Sequence, residues 1–309
     1  MKNDVMAIAG LPKQKRHRVH GSDGVFYTVI TVLVVLWIVI VLYPLIYTIS
    51  SSFSSGAAVS SGQVFLWPVE PSILGYQYVL KYRQVWVGYG NTLLYTIVGS
   101  IITVIYCIMA AYPLSRRNFQ GRRFIMTLFT ITMFFGGGLI PSYILNSQLG
   151  LVNTRWHMFV HSAAGMGNIL IMRTFFRANV PDELLESAKL DGITDFGYLI
   201  KIVLPLSKAV ISVISLYAVV GHWNAYFGPL IYLMDRDLQP LQIVLQEILL
   251  ASRFEASELA DPELAVGMAN LADSMKFSLI VVSTVPMLVL YPFVQKFFEK
   301  GVMMGSIKG

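Results

Sequence analysis

Few residues in this chain are equipped for covalent or metal chemistry, and their spacing sets what they can do. His157 and His161, in the run HMFVH, stand four apart and share a helix face, the spacing that can bring two imidazoles to one metal. No Glu follows the first His and no third ligand lies nearby, so the pair reads as polar packing near the outer end of a membrane span. The single cysteine, Cys107, lies inside an apolar run; it excludes an intrachain disulfide and a cysteine-based metal site, and reads as a small packing residue. No G-x-x-x-x-G-K-[ST] loop is present to cradle a phosphate, and the glycine run FFGGGLIP, Phe134 to Pro141, lacks the lysine and hydroxyl such a loop needs. Nor does any Ser/His/Asp, Cys/His or paired-carboxylate arrangement point to catalysis. We therefore expect no catalytic residue, cofactor or metal, and the chain is not expected to be an enzyme.

The elements that carry these residues are set by composition. With 55% hydrophobic and 13% charged residues, the chain belongs in a membrane. Six segments are long enough to cross a hydrocarbon core of about 30 Å: 25–52, 91–115, 124–145, 156–172, 209–234 and 277–295. The first follows a basic tail, residues 1–24, and is too long for the apolar part of a cleavable signal, so it reads as a retained anchor. Lys and Arg stay on the cytoplasmic side of short loops, and placing the tail inside puts seventeen of the 23 basic residues there. Both termini are then cytoplasmic. The loop 235–276, with eight acidic and three basic residues, faces out; LQPLQIVLQEILLA within it has helical spacing, and Pro262 opens a second candidate helix. The net charge of +6 is scattered over span ends and forms no nucleic-acid face.

Within the six spans there is no Asp, Glu, Lys or Arg. Ion-coupled transporters and proton pumps usually place a carboxylate in the membrane, so this absence weighs against them, and energy must enter elsewhere. FFGGGLIP reads both as a break or close helix approach and as a discontinuous helix lining a pathway, readings that are compatible.

One charged stretch interrupts the apolar runs: NVPDELLESAKLDGITDFGYLIKIVLPL, on the cytoplasmic side between spans four and five. Pro181 suits a first turn, and Asp182 and Glu183 complement the positive helix end. Gly192 is placed to end that helix in the left-handed region, Thr194 or Asp195 can cap a second, and Pro205 separates it from the membrane run. Leu184, Leu185 and Ala188 share a face, with Leu190 nearby. A helix this short needs a surface to lie on, either its own bundle and the lipid interface or a groove in a partner.

The same stretch resembles the cytoplasmic signature of membrane subunits of binding-protein-dependent ABC importers: E-A-A, three residues, Gly, nine residues, I-x-L-P. Here it runs Glu186, Ser187, Ala188, then Lys189, Leu190 and Asp191, then Gly192, nine residues, and Ile202, Val203, Leu204, Pro205, with Ser187 replacing the first Ala. FFGGGLIP, LVNTRW before span four, IMRTFF after it and GHWNAYF (Gly221 to Phe227) look like the carbohydrate-uptake class. The GGGLIP segment and the long acidic loop look like its oligosaccharide and polysaccharide subgroup.

The resemblance implies an all-α polytopic protein with six transmembrane helices, the type I importer permease fold and a cytoplasmic coupling helix at about 181–198. It also implies a second homologous permease, a dimer of ABC ATPase subunits that binds the ATP, and an extracytoplasmic solute-binding protein. Glu186 and Gly192 would be most tied to the joint with the ATPase, one as a polar contact and one as a turn. Trp223, Asn224 and Tyr226 are candidates for the sugar pathway, because amides, hydroxyls and aromatic faces bind sugars. Trp and Tyr also mark membrane interfaces and Asn can bridge helices, which is the alternative for those three. Amino-acid, peptide and phosphate permeases share the coupling signature, so a non-sugar solute is the alternative cargo; an ion-coupled transporter is a more distant one.

Overall fold

Backbone groups in lipid must find their hydrogen bonds within the chain, and long charge-free runs do so as helices. The structure is a computed structural model and describes residues 21–163, 165–258, 267, 270–289 and 292. Residues 1–20 of the basic tail, most of the helix expected after Pro262, the end of the sixth expected span and the C-terminal lysines lie outside that set. Among the described residues the regular elements are helical.

The chain divides into two compact units, 1–47 and 48–309. The first is dominated by α1 (Gly21–Ser52), apolar all round, with its large side chains from Val25 to Ile46 exposed; a helix with no polar face is matched to lipid.

In the second unit, α2 (Gly56–Ser60) and α3 (Leu74–Lys81) lead into α4 (Arg83–Ser115). At 33 residues α4 is about 50 Å long, well beyond one hydrocarbon core. Next come α5 (Arg122–Phe134), α6 (Leu139–Gln148), α7 (Arg155–Ala163) and α8 (Met166–Asn179). After α9 (Asp182–Leu190) and α10 (Asp195–Tyr198), a π turn (Leu199–Val203) and α11 (Leu204–Leu206) lead to α12 (Lys208–Trp223). The last described elements are α13 (Phe227–Tyr232), α14 (Leu241–Glu258) and α15 (Asn270–Val289).

α4 is the central post, packed against α7, α8, α12 and α14. Its inward face carries Thr92, Thr96, Gly99, Thr103, Cys107 and Ala111, all small or slender, so neighbouring backbones can approach closely. Gly99 is the tightest glycine on α4: a Cβ there would clash with the ring of His222 on α12.

Among the described residues three helices, α1, α4 and α15, are each long and apolar enough to cross a membrane; counting two bent pairs as single spans raises that to five. One bent pair is α5 with α6, broken by 119° where the glycines fall and where Gly138 takes φ +82. The other bends by 82° between Leu206 and Lys208. The expected span 156–172 is shared between α7 and α8, each too short to cross alone. The expected helix LQPLQIVLQEILLA forms from its fourth residue, Leu241, where α14 begins.

Side chains on the first half of α4 hold the start of the acidic loop. Asn91 donates to the carbonyls of Asp237 (2.8 Å) and Gln239 (3.0 Å), Tyr95 donates to Leu238 O (2.7 Å), and Thr92 Oγ1 accepts from Leu241 N (2.9 Å). Asn153, at φ +57, receives the N–H groups of Met234 (3.1 Å) and Asp235 (2.9 Å) on its side-chain oxygen, which gives the LVNTRW motif a physical task.

The Gly99 contact makes a direct prediction. Gly99→Val should destabilise the protein by ~1–3 kcal/mol through overpacking, read as a lower thermal midpoint in detergent. His222→Ala should restore much of the loss; a Gly99→Val variant as stable as the wild type would refute the contact.

Candidate functional site

The segment from Val180 to Ser207 is built from strong local signals. Asp182 and Glu183 occupy the first turn of α9, with Pro181 as its N-cap, one position earlier than expected. The helix ends as a Gly-terminated helix should: Ile193 N donates to Ala188 O (2.9 Å), Gly192 N donates to Lys189 O (3.1 Å), and Gly192 sits at φ +73. Thr194 Oγ1 then accepts from Gly197 N (3.1 Å), capping α10.

Pro205 has no N–H to offer Lys201, so the helical ladder opens ahead of it. Leu204 N donates instead to Leu199 O, five residues back, which is the π turn. The sharp bend comes just after, at the buried Ser207, rather than at Pro205 as expected.

One face of this segment is locked into the bundle. Ala188, Tyr198, Leu199 and Val203 are buried in one cluster with Cys107, Ala111 and Leu114 of α4, Ile169, Met172 and Phe176 of α8, and Val210 and Ile214 of α12. Leu185, Ile193, Ile202 and Leu204 pack against that cluster from its edge. The opposite face is bare: Leu190 is 91% and Phe196 70% exposed, and Leu184 is exposed as well. The expected common face of Leu184, Leu185 and Ala188 is thus divided. The inner positions are Leu185 and Ala188, because α9 lies against α4 and α8 through its Ala188 side.

Among the expected coupling residues, Glu186, Ser187, Asp191, Gly192 and Pro205 are exposed. Ser187 bonds back to Glu183 O (3.1 Å).

Charge fixes the segment at its start. Asp182 is shared by Arg116 (3.6 Å) and Arg117 (3.3 Å) at the end of α4. The Arg116 side chain is only 9% exposed; its Nε donates to Ser115 Oγ (3.1 Å) and its guanidinium lies 5.5 Å from the centre of the Tyr112 ring. Arg173 donates to Leu114 O (2.9 Å), closing the negative end of α4. Lys189 pairs with Asp195 across the Gly192 turn (3.7 Å), so α9 and α10 are tied to each other. Beside α9 lies a polar cleft of about 560 Å³, bordered by Arg116, Arg117, Arg177, Asp182, Glu186 and Lys189.

The second group of expected residues does not form one surface. Trp223 is buried, its indole N–H directed to Ser283 O (3.3 Å) on α15 and its ring edge-on to Tyr89. Asn224 is exposed and bonds back to Val220 O (3.0 Å), while Tyr226 is half-buried. Ala225, between them, packs beside Tyr95, Met158 and Leu233.

His157 is buried, in contact with Asn146 Oδ1 through Nδ1 (3.3 Å) and stacked on Tyr232 with centroids 3.9 Å apart. This is the polar packing expected of it; the side chain of His161 lies outside the described set.

The helical bundle thus carries a short amphipathic helix that is anchored on one face and bare on the other. Residues 104–304 match the family model described as the binding-protein-dependent transport system inner membrane component. The chain is 35% identical over 274 residues to the polygalacturonan/rhamnogalacturonan transport system permease protein YtcP of Bacillus subtilis, covering 89% of this chain and 95% of that protein. It is also 35% identical to Protein LplC of Bacillus subtilis over 87% of this chain and 90% of the other.

A similar chain occurs in the crystal structure of a bacterial ABC transporter involved in the import of the acidic polysaccharide alginate. It has 33% identity and a TM-score of 0.82, with 90% of this chain and 98% of that one covered. The chain belongs to the binding-protein-dependent transport system inner membrane component family. It is an ABC transporter permease whose relatives include sugar transporters, as the sequence resemblance implied.

Asp182→Asn should lower the thermal midpoint, because it removes the acid facing a buried guanidinium. Arg117→Ala, at a side chain 78% exposed, should change stability by less than ~1 kcal/mol. Thermal unfolding of the two variants side by side checks that order; equal effects would refute it.

Proposed function

We propose that this chain is one of two membrane-spanning permease subunits of an ATP-driven, binding-protein-dependent importer of oligosaccharides, located in the cell membrane with both termini cytoplasmic. The observation that carries this reading is the Asp182–Tyr198 unit, held inside the bundle by Ala188 and Tyr198 while Leu190 and Phe196 project outward. Such a knob suits a groove in a cytoplasmic ATPase subunit. In this reading ATP is bound and hydrolysed by a dimer of those subunits, and their closure moves the spans between inward-facing and outward-facing arrangements as rigid bodies.

Glu186 makes the polar contact in that joint and Gly192 its turn. Ser187 and Asp191 line the exposed rim, while Ala188, Ile202, Leu204 and Pro205 pass the motion to the spans. Six crossings at about 25–52, 91–115, 124–145, 156–172, 209–234 and 277–295 place the loop 235–276 outside, where a solute-binding protein delivers cargo. The second, homologous permease completes the path. Asn224 and Tyr226 offer an amide and a phenol to the path, with Trp223 holding that bend of the chain in place.

A sugar cargo is supported by relatives named for polygalacturonan or rhamnogalacturonan, galactooligosaccharides and alginate.

The test is uptake by proteoliposomes holding the chain with its second permease and ATPase. Labelled oligosaccharide should enter only with ATP inside and binding protein outside. Glu186→Lys should weaken docking and cut uptake about tenfold, equal to ~1.4 kcal/mol. Unchanged assembly and uptake in both Glu186→Lys and Gly192→Pro would overturn the coupling assignment.

A further inference from the structure

Among the described residues Arg116 is the only Lys, Arg, Asp or Glu that is buried, at 7% exposure. It follows the last turn of α4, where a cation complements the negative helix end. Arg117, the next residue, has a side chain 78% exposed, so complementing that helix end does not require burial.

Three elements meet at the Arg116 guanidinium. α4 supplies Ser115, whose Oγ accepts from Nε (3.1 Å), and the Tyr112 ring, 5.5 Å away. α9 supplies Asp182, whose Oδ1 lies 3.6 Å from Nη1. α10 supplies Tyr198, whose hydroxyl is close enough to interact electrostatically yet falls outside hydrogen-bond geometry. Nη1 and Nη2 are shut away from solvent with no hydrogen bond, and so is Tyr198 Oη. Buried polar groups left in this way are unfavourable. A well-packed apolar residue of similar size is often at least as stable as a buried ion pair.

Stability therefore does not account for an arginine at this position. What a buried charge adds is direction. The apolar contacts that seat the segment through Ala188, Tyr198 and Leu199 are non-directional and set no register between α9 and α4 by themselves. The Arg116–Asp182 pair does set one, because sliding α9 along α4 would leave the buried cation without its acid. Asp182 is the first residue of α9, so a register fixed there carries to Glu186 and Leu190 through one nine-residue helix. It reaches α10 through the Lys189–Asp195 pair.

We propose that Arg116 is a positioning residue for ATPase coupling: its buried charge fixes the register of α9 and α10 on the end of α4, and so the stance in which Glu186, Leu190 and Phe196 meet the ATPase subunit. The assignment rests on the coupling reading above and adds to it a residue outside the 181–206 segment.

The test is Arg116→Met in the complete importer, with its second permease, ATPase and binding protein. The change removes the buried charge and strands no other, since Asp182 stays paired with Arg117 (3.3 Å) and is 41% exposed. The thermal midpoint should equal or exceed that of the wild type. In proteoliposomes, labelled oligogalacturonate or galacto-oligosaccharide taken up per ATP hydrolysed should fall about tenfold. Arg116→Lys, which keeps the charge, should recover most of that ratio.

A Met variant that fails to assemble, or melts below the wild type, would overturn the proposal, because the guanidinium would then be holding the fold together. So would a Met variant with wild-type uptake per ATP, or a Lys variant as poorly coupled as the Met one. Each of these outcomes leaves the importer reading intact. A wild-type importer that takes up neither probe with ATP would overturn that reading and this assignment with it.

Discussion

The arrangement depends on one packing contact: the seating of Ala188, Tyr198 and Leu199 in the same buried cluster as α4, α8 and α12. Helices of nine and four residues are too short to be stable alone. Sharing a core with three longer helices gives them a fixed orientation. Densely packed cores deform little, so α9 and α10 are fixed rigidly to the bundle. Alanine at 188, a small residue, lets α9 lie close to the cluster. The Arg117–Asp182 and Lys189–Asp195 pairs add direction more than energy, because Arg117, Lys189 and Asp195 are well exposed, whereas the Asp182–Arg116 pair faces a buried guanidinium.

The bundle itself uses little charge. Hydrophobic burial does not drive helix association inside lipid, so close approach and side-chain hydrogen bonds must do so. The slender face of α4 supplies the first and the Asn91, Thr92 and Tyr95 bonds to the 237–241 segment supply the second. The same economy explains why a chain with so few membrane charges can still define a polar position. His157 is held by an amide and an aromatic ring.

Much of this was legible in the sequence where a residue has only a few conformations open to it. Gly192 after an apolar, acid-led turn marks a left-handed helix end, Thr194 marks the next cap, and three successive glycines mark the break between α5 and α6; each is found there. Orientation was harder. Helical spacing groups Leu184, Leu185 and Ala188, but only tertiary contacts reveal that α9 turns Ala188 and Leu185 inward and leaves Leu184 and Leu190 bare. The bend at Ser207 was displaced from Pro205 for a related reason: the π turn absorbs the missing N–H upstream and lets the helix run on to Leu206. The role of Trp223 could not be read from its neighbours in sequence, because Ser283, its partner, is 60 residues away.

The α9–α10 segment and the Gly99–His222 contact lie at opposite ends of one element. α12 starts immediately after the bend at Ser207 and ends at Trp223; its 16 residues span about 24 Å. Its first turns, through Val210 and Ile214, belong to the cluster that seats the coupling segment. Its last turn carries His222 and Trp223, which respectively fill the Gly99 gap and reach across to α15. One helix therefore joins the cluster under α9 and α10 to the α4 and α15 contacts at its other end. The tight Gly99–His222 contact then limits the positions α12 can adopt to those in which the imidazole still fits against a bare backbone.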